Sequence, residues 1–233
     1  MPASWRCPGQ HKRVFLEFFT QHAQFAFGHG GDQTGANLRY ASYSANNLNQ
    51  YTSRTVPGYV NVLGSASSNA TVVVNSQGVY RKGNYFRAEL AENNAASAVF
   101  ASLTNLAVLT NGTATDTIAT NFGSVFVPQT PETFGYDPDG NLTNDGRWVL
   151  TWDAENRLIN LTSLNSAPTG SQLKLDFGYD YRGRRIQKVV STLVGASYVT
   201  QRTNKFVYDG WNLLAEVAAN NSLIRSYVWG GWT

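Results

Sequence analysis

Two carboxylate pairs lie close enough in the chain to do acid–base chemistry, Asp137 with Asp139 and Asp153 with Glu155. A glycosidase uses such a pair, one carboxyl as acid and the other as base or nucleophile. The same aspartate recurs, however, at Asp137, Asp153, Asp180 and Asp209, each after an aromatic residue and each three residues before a Gly or Asn. Catalysis needs one special pair, whereas a succession of turns needs an aspartate in every copy, so the turn role is favoured over an enzyme. Asp137-Pro138-Asp139-Gly140-Asn141 is similar to a calcium loop, but its Gly comes two places too early for an EF-hand, and Trp148 stands where the bidentate Glu belongs. His11, His22 and His29 are spaced by 11 and 7 residues and match no common zinc pattern. Cys7 is the only cysteine, so it forms neither an intrachain disulfide nor a cysteine metal site. No Ser-His-Asp arrangement, nucleotide loop or zinc motif stands out, and no cofactor is expected. Arg182, Arg184, Arg185 and Lys188 form the one basic cluster, which reads as a charged hairpin edge and not as a nucleic-acid face.

Turn geometry accounts for the recurring pattern. The four copies are Tyr136–Leu142, Trp152–Leu158, Tyr179–Arg185 and Tyr208–Leu214, with aromatic-to-aromatic spacings of 16, 27 and 29 residues. A type I turn favours Asp at its first position and Gly at its fourth, and the carboxylate accepts backbone N–H groups two residues on. Gly140 and Gly183 accept left-handed backbone, and Asn156, Asn212 and Asn47 are the next best residues for that task. The turn signature is therefore Tyr136, Asp137, Gly140 and Asn141; Trp152, Asp153, Asn156 and Arg157; Tyr179, Asp180, Gly183 and Arg184; and Tyr208, Asp209 and Asn212. A weaker fifth copy is Tyr43-Ser44-Ala45-Asn46-Asn47-Leu48.

These turns need strands on both sides. Phe134 with Tyr136, Phe177 with Tyr179, and Phe206 with Tyr208 place two aromatics on one face of each incoming strand. Residues 157–161, 186–190 and 213–217 leave the turns as apolar-rich strands, and Asn144-Asp145-Gly146 adds a tight turn. Residues 132–233 thus read as consecutive antiparallel hairpins. Residues 55–131, rich in Val, Thr, Ser and Asn, read as a β-rich insertion or small β sandwich. Residues 31–54 read as a degenerate repeat-like linker. Residues 1–30 differ in composition, with a short amphipathic helix conceivable over 14–24, and residues 1–29 are expected to stay outside the sheet.

Composition agrees with an all-β fold. Charged residues make up 14% of the chain and aromatics 13%, against roughly 25% charged in ordinary soluble domains. The net charge is +3, too weak and too scattered to imply nucleic acid. No apolar run approaches the roughly 20 residues of a membrane helix. The apolar run near Val14 is broken by Glu17, Gln21 and His22, so no signal peptide is read there.

At these residues the chain resembles the tyrosine-aspartate (YD) repeats of bacterial Rhs proteins, of Tc-toxin C subunits and, more distantly, of teneurins. Tyr136–Leu142, Trp148–Leu158 and the closing Ser226-Tyr227-Val228-Trp229-Gly230 carry the resemblance, strongly over 132–230 and weakly over 31–54. It implies part of a spiral β shell that encloses or presents a C-terminal toxin or effector absent from this chain. It also implies a plug and cleavage motif beyond Thr233, neighbouring repeat segments as partners, and a secreted or surface-exposed parent protein. The alternative is a carbohydrate-binding or adhesive surface protein, in which Trp148, Trp152, Trp211 and Trp229 would stack on a cell-surface glycan.

Overall fold

The computed structural model describes residues 17–20, 32 and 34–230. His11, His22, His29 and Cys7 lie outside the described residues. Every regular element among those described is a strand, so the fold is all-β. The chain forms two compact units. The first gathers the described residues up to Tyr40 with residues 59–92 and 101–125, and the second gathers 41–58, 93–100 and the described residues from 126 onward.

The first unit holds two four-stranded sheets, except for residues 99–100 and 126–127 at the ends of two strands, which fall in the second. One is built from β1 (Glu17–Thr20), β4 (Tyr59–Ser65), β7 (Tyr80–Lys82) and β8 (Tyr85–Ala91), in the order β1-β4-β8-β7. The other uses β5 (Thr71–Val74), β6 (Gln77–Gly78), β9 (Val99–Leu109) and β10 (Thr117–Val127), in the order β10-β9-β5-β6. β4, β5, β8 and β9 alternate buried with more exposed positions. Val60 and Val62 lie opposite Leu90 and Ala88 in one ladder, Val72 lies opposite Ala107 in the other, and all six are buried. Each sheet therefore has one buried apolar face. Thirteen of the fifteen buried apolar residues among those described lie in this unit, with Leu103 only 2% exposed. Arg81 fixes one corner by donating to the carbonyls of Ala66, Ser67, Ala70 and Gly83.

The N-terminal reading is corrected at Glu17–Thr20. These residues do not form a helix and do not stay outside the sheet. They run antiparallel to β4, with Glu17 opposite Ser65 and Thr20 opposite Val62. Without them the outer backbone groups of β4 would be an open edge, and any extended strand-prone segment can satisfy that edge. The 31–54 segment is likewise not one piece. Asp32–Tyr40 belongs to the first unit, where Arg87 donates to the Asp32 carbonyl at 3.2 Å and Arg39 stacks 3.6 Å over Tyr59. Tyr43–Arg54 belongs to the second.

In the second unit, β2 (Tyr43–Ala45), β3 (Tyr51–Arg54) and β11 (Glu132–Thr133) form a sheet in the order β11-β3-β2. A nine-stranded meander follows in chain order. Its strands are β12 (Gly135–Tyr136), β13 (Leu142–Asn144), β14 (Trp148–Trp152), β15 (Leu158–Ser163), β16 (Leu173–Tyr179), β17 (Arg185–Val194), β18 (Ser197–Asp209), β19 (Asn212–Ala218) and β20 (Leu223–Ser226). Leu150, Leu161, Leu175 and Val190 lie opposite one another in a row across β14–β17. The next row reads Thr151, Asn160, Asp176 and Val189. Partners in a ladder share a face, so the sheet has one apolar and one mostly polar face. The chain leaves and re-enters this unit beside Asn94, whose Nδ2 donates to the carbonyls of Val56 and Pro128 at 3.1 and 2.8 Å.

Candidate functional site at the turns of the repeat

Six turns among the described residues close in the same way. In each, the N–H of the first residue donates to the carbonyl of the fifth, and the N–H of the fourth donates back to the first. The six begin at Asp32, Asn46, Asp137, Asp153, Asp180 and Ala218, with distances of 2.7–3.0 Å. The fourth residue is left-handed every time, with φ of +81° at Gly35, +62° at Asn49, +87° at Gly140, +56° at Asn156, +76° at Gly183 and +67° at Asn221. This is the type I turn plus left-handed residue of a bulged hairpin. The register shifts just ahead of the turns that join neighbouring strands, at Ser44/Ala45, Gly135/Tyr136, Thr151/Trp152, Gly178/Tyr179 and Glu216/Val217.

The aspartates brace these loops from inside. Asp153 Oδ1 accepts the N–H groups of Glu155 and Arg157 at 2.9 and 3.0 Å, and Oδ2 accepts Arg157 Nε at 2.8 Å. Asp180 repeats this with Arg182 and Arg184 N–H at 2.9 and 3.0 Å and Arg184 Nε at 2.7 Å. Asp137 holds Asn141 through both its backbone N–H and its side-chain amide, at 2.8 and 3.1 Å. Asp32 holds Thr34, Ala36 and Asn37.

Hydrogen bonds of this kind favour the ionised form. The side-chain and backbone donors of Thr34 bring Asp32 down to about 2. The Arg157 N–H is the main cause holding Asp153 below the ordinary value. For Asp137 and Asp180, partial burial pulls upward but is outweighed, by Asn141 in the first case and by Arg184 in the second. A general acid needs the reverse, a carboxyl raised toward neutrality. Among the described residues, no group of three His, Cys, Asp or Glu is placed to hold a metal.

Because these folded-state values lie below the unfolded ones, the turns contribute stability above the ordinary 3.8, and that contribution is lost as pH falls through the folded values, about 2 for Asp32. Hydrogen-exchange protection factors, with the intrinsic pH dependence of amide exchange divided out, are expected to be flat down to pH ~4 at the Asp32, Asp153 and Asp180 turns and to fall only below it, while those at the Ala218 turn stay flat throughout.

Aromatic side chains then tie each turn to the one before. Trp152 Nε1 donates to the Leu142 carbonyl at 2.7 Å, Tyr179 OH to Leu158 at 2.8 Å, Tyr208 OH to Arg185 at 3.0 Å and Trp229 Nε1 to Leu213 at 2.7 Å. In the first three, the acceptor is the residue six past the previous aromatic. The arginines work in the same direction. Arg157 lies 5.2 Å from the Tyr179 ring and Arg184 5.1 Å from the Tyr208 ring, within cation–π range. In the first copy, Asn141 reaches forward to Asn156 Oδ1 at 2.8 Å. Each of the first three copies thus runs from aspartate to its own arginine or asparagine, and from there to the next copy. Tyr179→Phe, which removes only the hydroxyl, is expected to cost about 0.5–1.5 kcal/mol by denaturant unfolding.

Two of the turn readings are corrected. Asn47 is not the left-handed residue of the upstream copy. The turn starts at Asn46, whose Oδ1 accepts Leu48 and Gln50 N–H at 3.0 Å, so the left-handed residue is Asn49, two places on. Nor is Asn212 left-handed. It begins β19 opposite Asp209, leaving a two-residue loop in which Gly210 carries φ +55°, the Gly-first hairpin turn. Gly210 lies directly after Asp209, and this adjacency shortens the loop. Three features escaped the sequence reading, namely the turns at Asp32 and Ala218 and the staple from Trp229. Asp32 and Gly35 have the Asp-x-x-Gly spacing of Asp137 and Gly140, which was the available signal; the Ala218 turn has only Asn221. That turn also shows that the loop closes without a carboxylate. Asp180→Asn is therefore expected to shift the unfolding midpoint only slightly. Gly183→Val, which forces a β-branched residue into left-handed backbone, should cost at least ~1–2 kcal/mol.

The fold and site define an all-β repeat structure whose turns are cross-braced. No protein-family model matches the chain. Among curated proteins, 101 residues (42% of the chain) are 39% identical to the tRNA nuclease WapA of Bacillus subtilis strain 168. The same extent and identity are found for the tRNA(Glu)-specific nuclease WapA of B. subtilis subsp. natto and the tRNA3(Ser)-specific nuclease WapA of Bacillus spizizenii. The match spans 4% of the length of these relatives.

Proposed function

We propose that this chain is a structural segment of a bacterial Rhs-type YD-repeat protein, a stretch of shell wall that helps enclose or present a toxin or effector encoded elsewhere in the parent protein, and that it is not itself an enzyme. The relay from each turn to the next carries this reading. The turn carboxylates are spent on backbone N–H groups and arginines, and the staple aromatics on neighbouring carbonyls, which is the work of a wall. The partial similarity to nucleases many times longer supports a place in a large toxin-bearing protein. Cleavage of tRNA, named for those relatives, is assigned to other parts of such proteins. Its partners are then adjoining repeat segments and the enclosed cargo, and the parent protein is exported.

Two measurements test this. The purified chain is expected to leave tRNA intact; cleavage abolished by one aspartate substitution would replace the wall with an active site. In the parent protein, Tyr208→Ala should expose the enclosed segment to protease, and unchanged protection would count against a wall. The exposed ring of Trp211 keeps a glycan-binding reading open to test. Quenching of Trp fluorescence by added oligosaccharides, lost in Trp211→Ala, would favour it.

A further inference from the structure

Edge strands offer unpaired N–H and C=O groups to any other extended chain, and proteins usually blunt them with charge, proline or short length. The other sheet edges among the described residues follow that practice. β6, β11 and β12 have two residues each and β2 has three. β7 carries Arg81 and Lys82, β20 carries Arg225, and Glu17 lies in β1. β10 is different. It stands at the end of its sheet and runs for eleven residues. No charged residue and no proline occurs from Thr117 to Val127. Ile118, Thr120, Phe122 and Ser124 alternate along one exposed face, with Ile118 63% and Phe122 74% exposed.

We propose that the outer edge of β10, which no strand pairs among the described residues, joins two copies of this chain by antiparallel strand addition, in a register centred on Thr120. Two identical strands pair antiparallel about a two-fold axis, and the interface must then be self-complementary. With Thr120 on that axis, Ile118 of one copy lies opposite Phe122 of the other, and the same pair forms a second time. Aromatic and β-branched residues directly opposite one another are among the stabilising cross-strand pairs. The same register places Asp116, just before the strand, opposite Ser124, so no like charges meet. One strand pair lies at the small end of interface sizes, so the dimer forms and dissociates with concentration.

The chain should therefore sediment as a concentration-dependent monomer–dimer mixture in the micromolar to millimolar range. Phe122→Lys, on the exposed face, should leave the circular dichroism spectrum unchanged and abolish the dimer. In a Cys7→Ser background, Thr120→Cys should crosslink to itself on mild oxidation, because residues directly opposite bring their Cβ atoms to about 4.5–5.5 Å, near disulfide reach. Ser124→Cys should not. A monomer throughout that range, a dimer that survives Phe122→Lys, or crosslinking as efficient at Ser124→Cys as at Thr120→Cys would each overturn the proposal.

Discussion

Replacing Glu132 with alanine is expected to cost about 3–5 kcal/mol, the range for removing one partner of a buried ion pair. Glu132 is 5% exposed and sits at the start of β11, directly opposite Arg54 on β3. One carboxylate oxygen bonds Arg54 Nε, and the other accepts the Gly146 N–H at 3.1 Å, in the tight turn between β13 and β14. A single side chain thus ties the three-stranded sheet to the first hairpins of the meander. Burial works against the Arg54 charge, but hydrogen bonds with Tyr43 and Glu132 outweigh it and hold the guanidinium above its ordinary value. Loss of Glu132 removes the countercharge of Arg54, leaving it the hydrogen bond with Tyr43, and takes away the acceptor of the Gly146 N–H. A methyl group on Gly146 would lie 2.6 Å from Glu132 Cγ, so the close approach needs glycine there. The control is the double variant Arg54→Met with Glu132→Leu, which removes both charges and should recover most of the loss, since paired apolar replacements of buried ion pairs are often neutral. Urea unfolding of the three proteins decides it. A Glu132→Ala cost below about 1 kcal/mol would mean the pair behaves as a surface salt bridge.

Gly146 stands out in the sequence only as part of a tight turn and Glu132 not at all, and the reason their contact is hidden is general to this chain. The turn chemistry of the repeat is local. Aspartate, the N–H groups it accepts and the left-handed Gly or Asn lie within five residues, so the pattern at Asp137, Asp153 and Asp180 could be read directly. Where a local signal was misaligned, the error was small. Asn46 offers the same side-chain oxygen as aspartate, and a two-residue slip put the left-handed position at Asn47 instead of Asn49. At Asp209, the adjacent Gly210 allows a tighter loop, and the tighter loop forms. Long-range partners leave no such trace. The pairing of Glu17–Thr20 with β4 joins residues more than forty positions apart, and the Asn94 clamp joins Val56 to Pro128. The staples lie between these extremes. Their aromatics were visible as a repeated position, but assigning their hydroxyl and indole N–H groups to carbonyls of the preceding turn needs the ladder register, which depends on the bulge ahead of each turn.

Leu103→Ala tests the other structural claim, that the inserted unit is held by an apolar core while the meander is held by its ladder and staples. Leu103 lies on β9 and is among the most deeply buried side chains described. Its neighbours on the inward face of that strand are Ala101, Asn105 and Ala107, of which two are already as small as alanine. Truncating Leu103 removes three side-chain carbons from a sheet face that has few large residues to fill the space. The expected cost is about 2–5 kcal/mol, toward the upper end if the sheet cannot collapse onto the cavity. Native-state hydrogen exchange gives the sharper readout, because cooperative units open separately when their stabilities differ. Amides of β4, β5, β8 and β9 should lose protection together in Leu103→Ala. Those of β15–β18 should keep theirs, since their row of Leu161, Leu175 and Val190 and the staples from Tyr179 and Tyr208 are untouched. Equal loss of protection in both groups would mean that the chain unfolds as one cooperative body and that the division into a core-held unit and a staple-held unit has no energetic meaning.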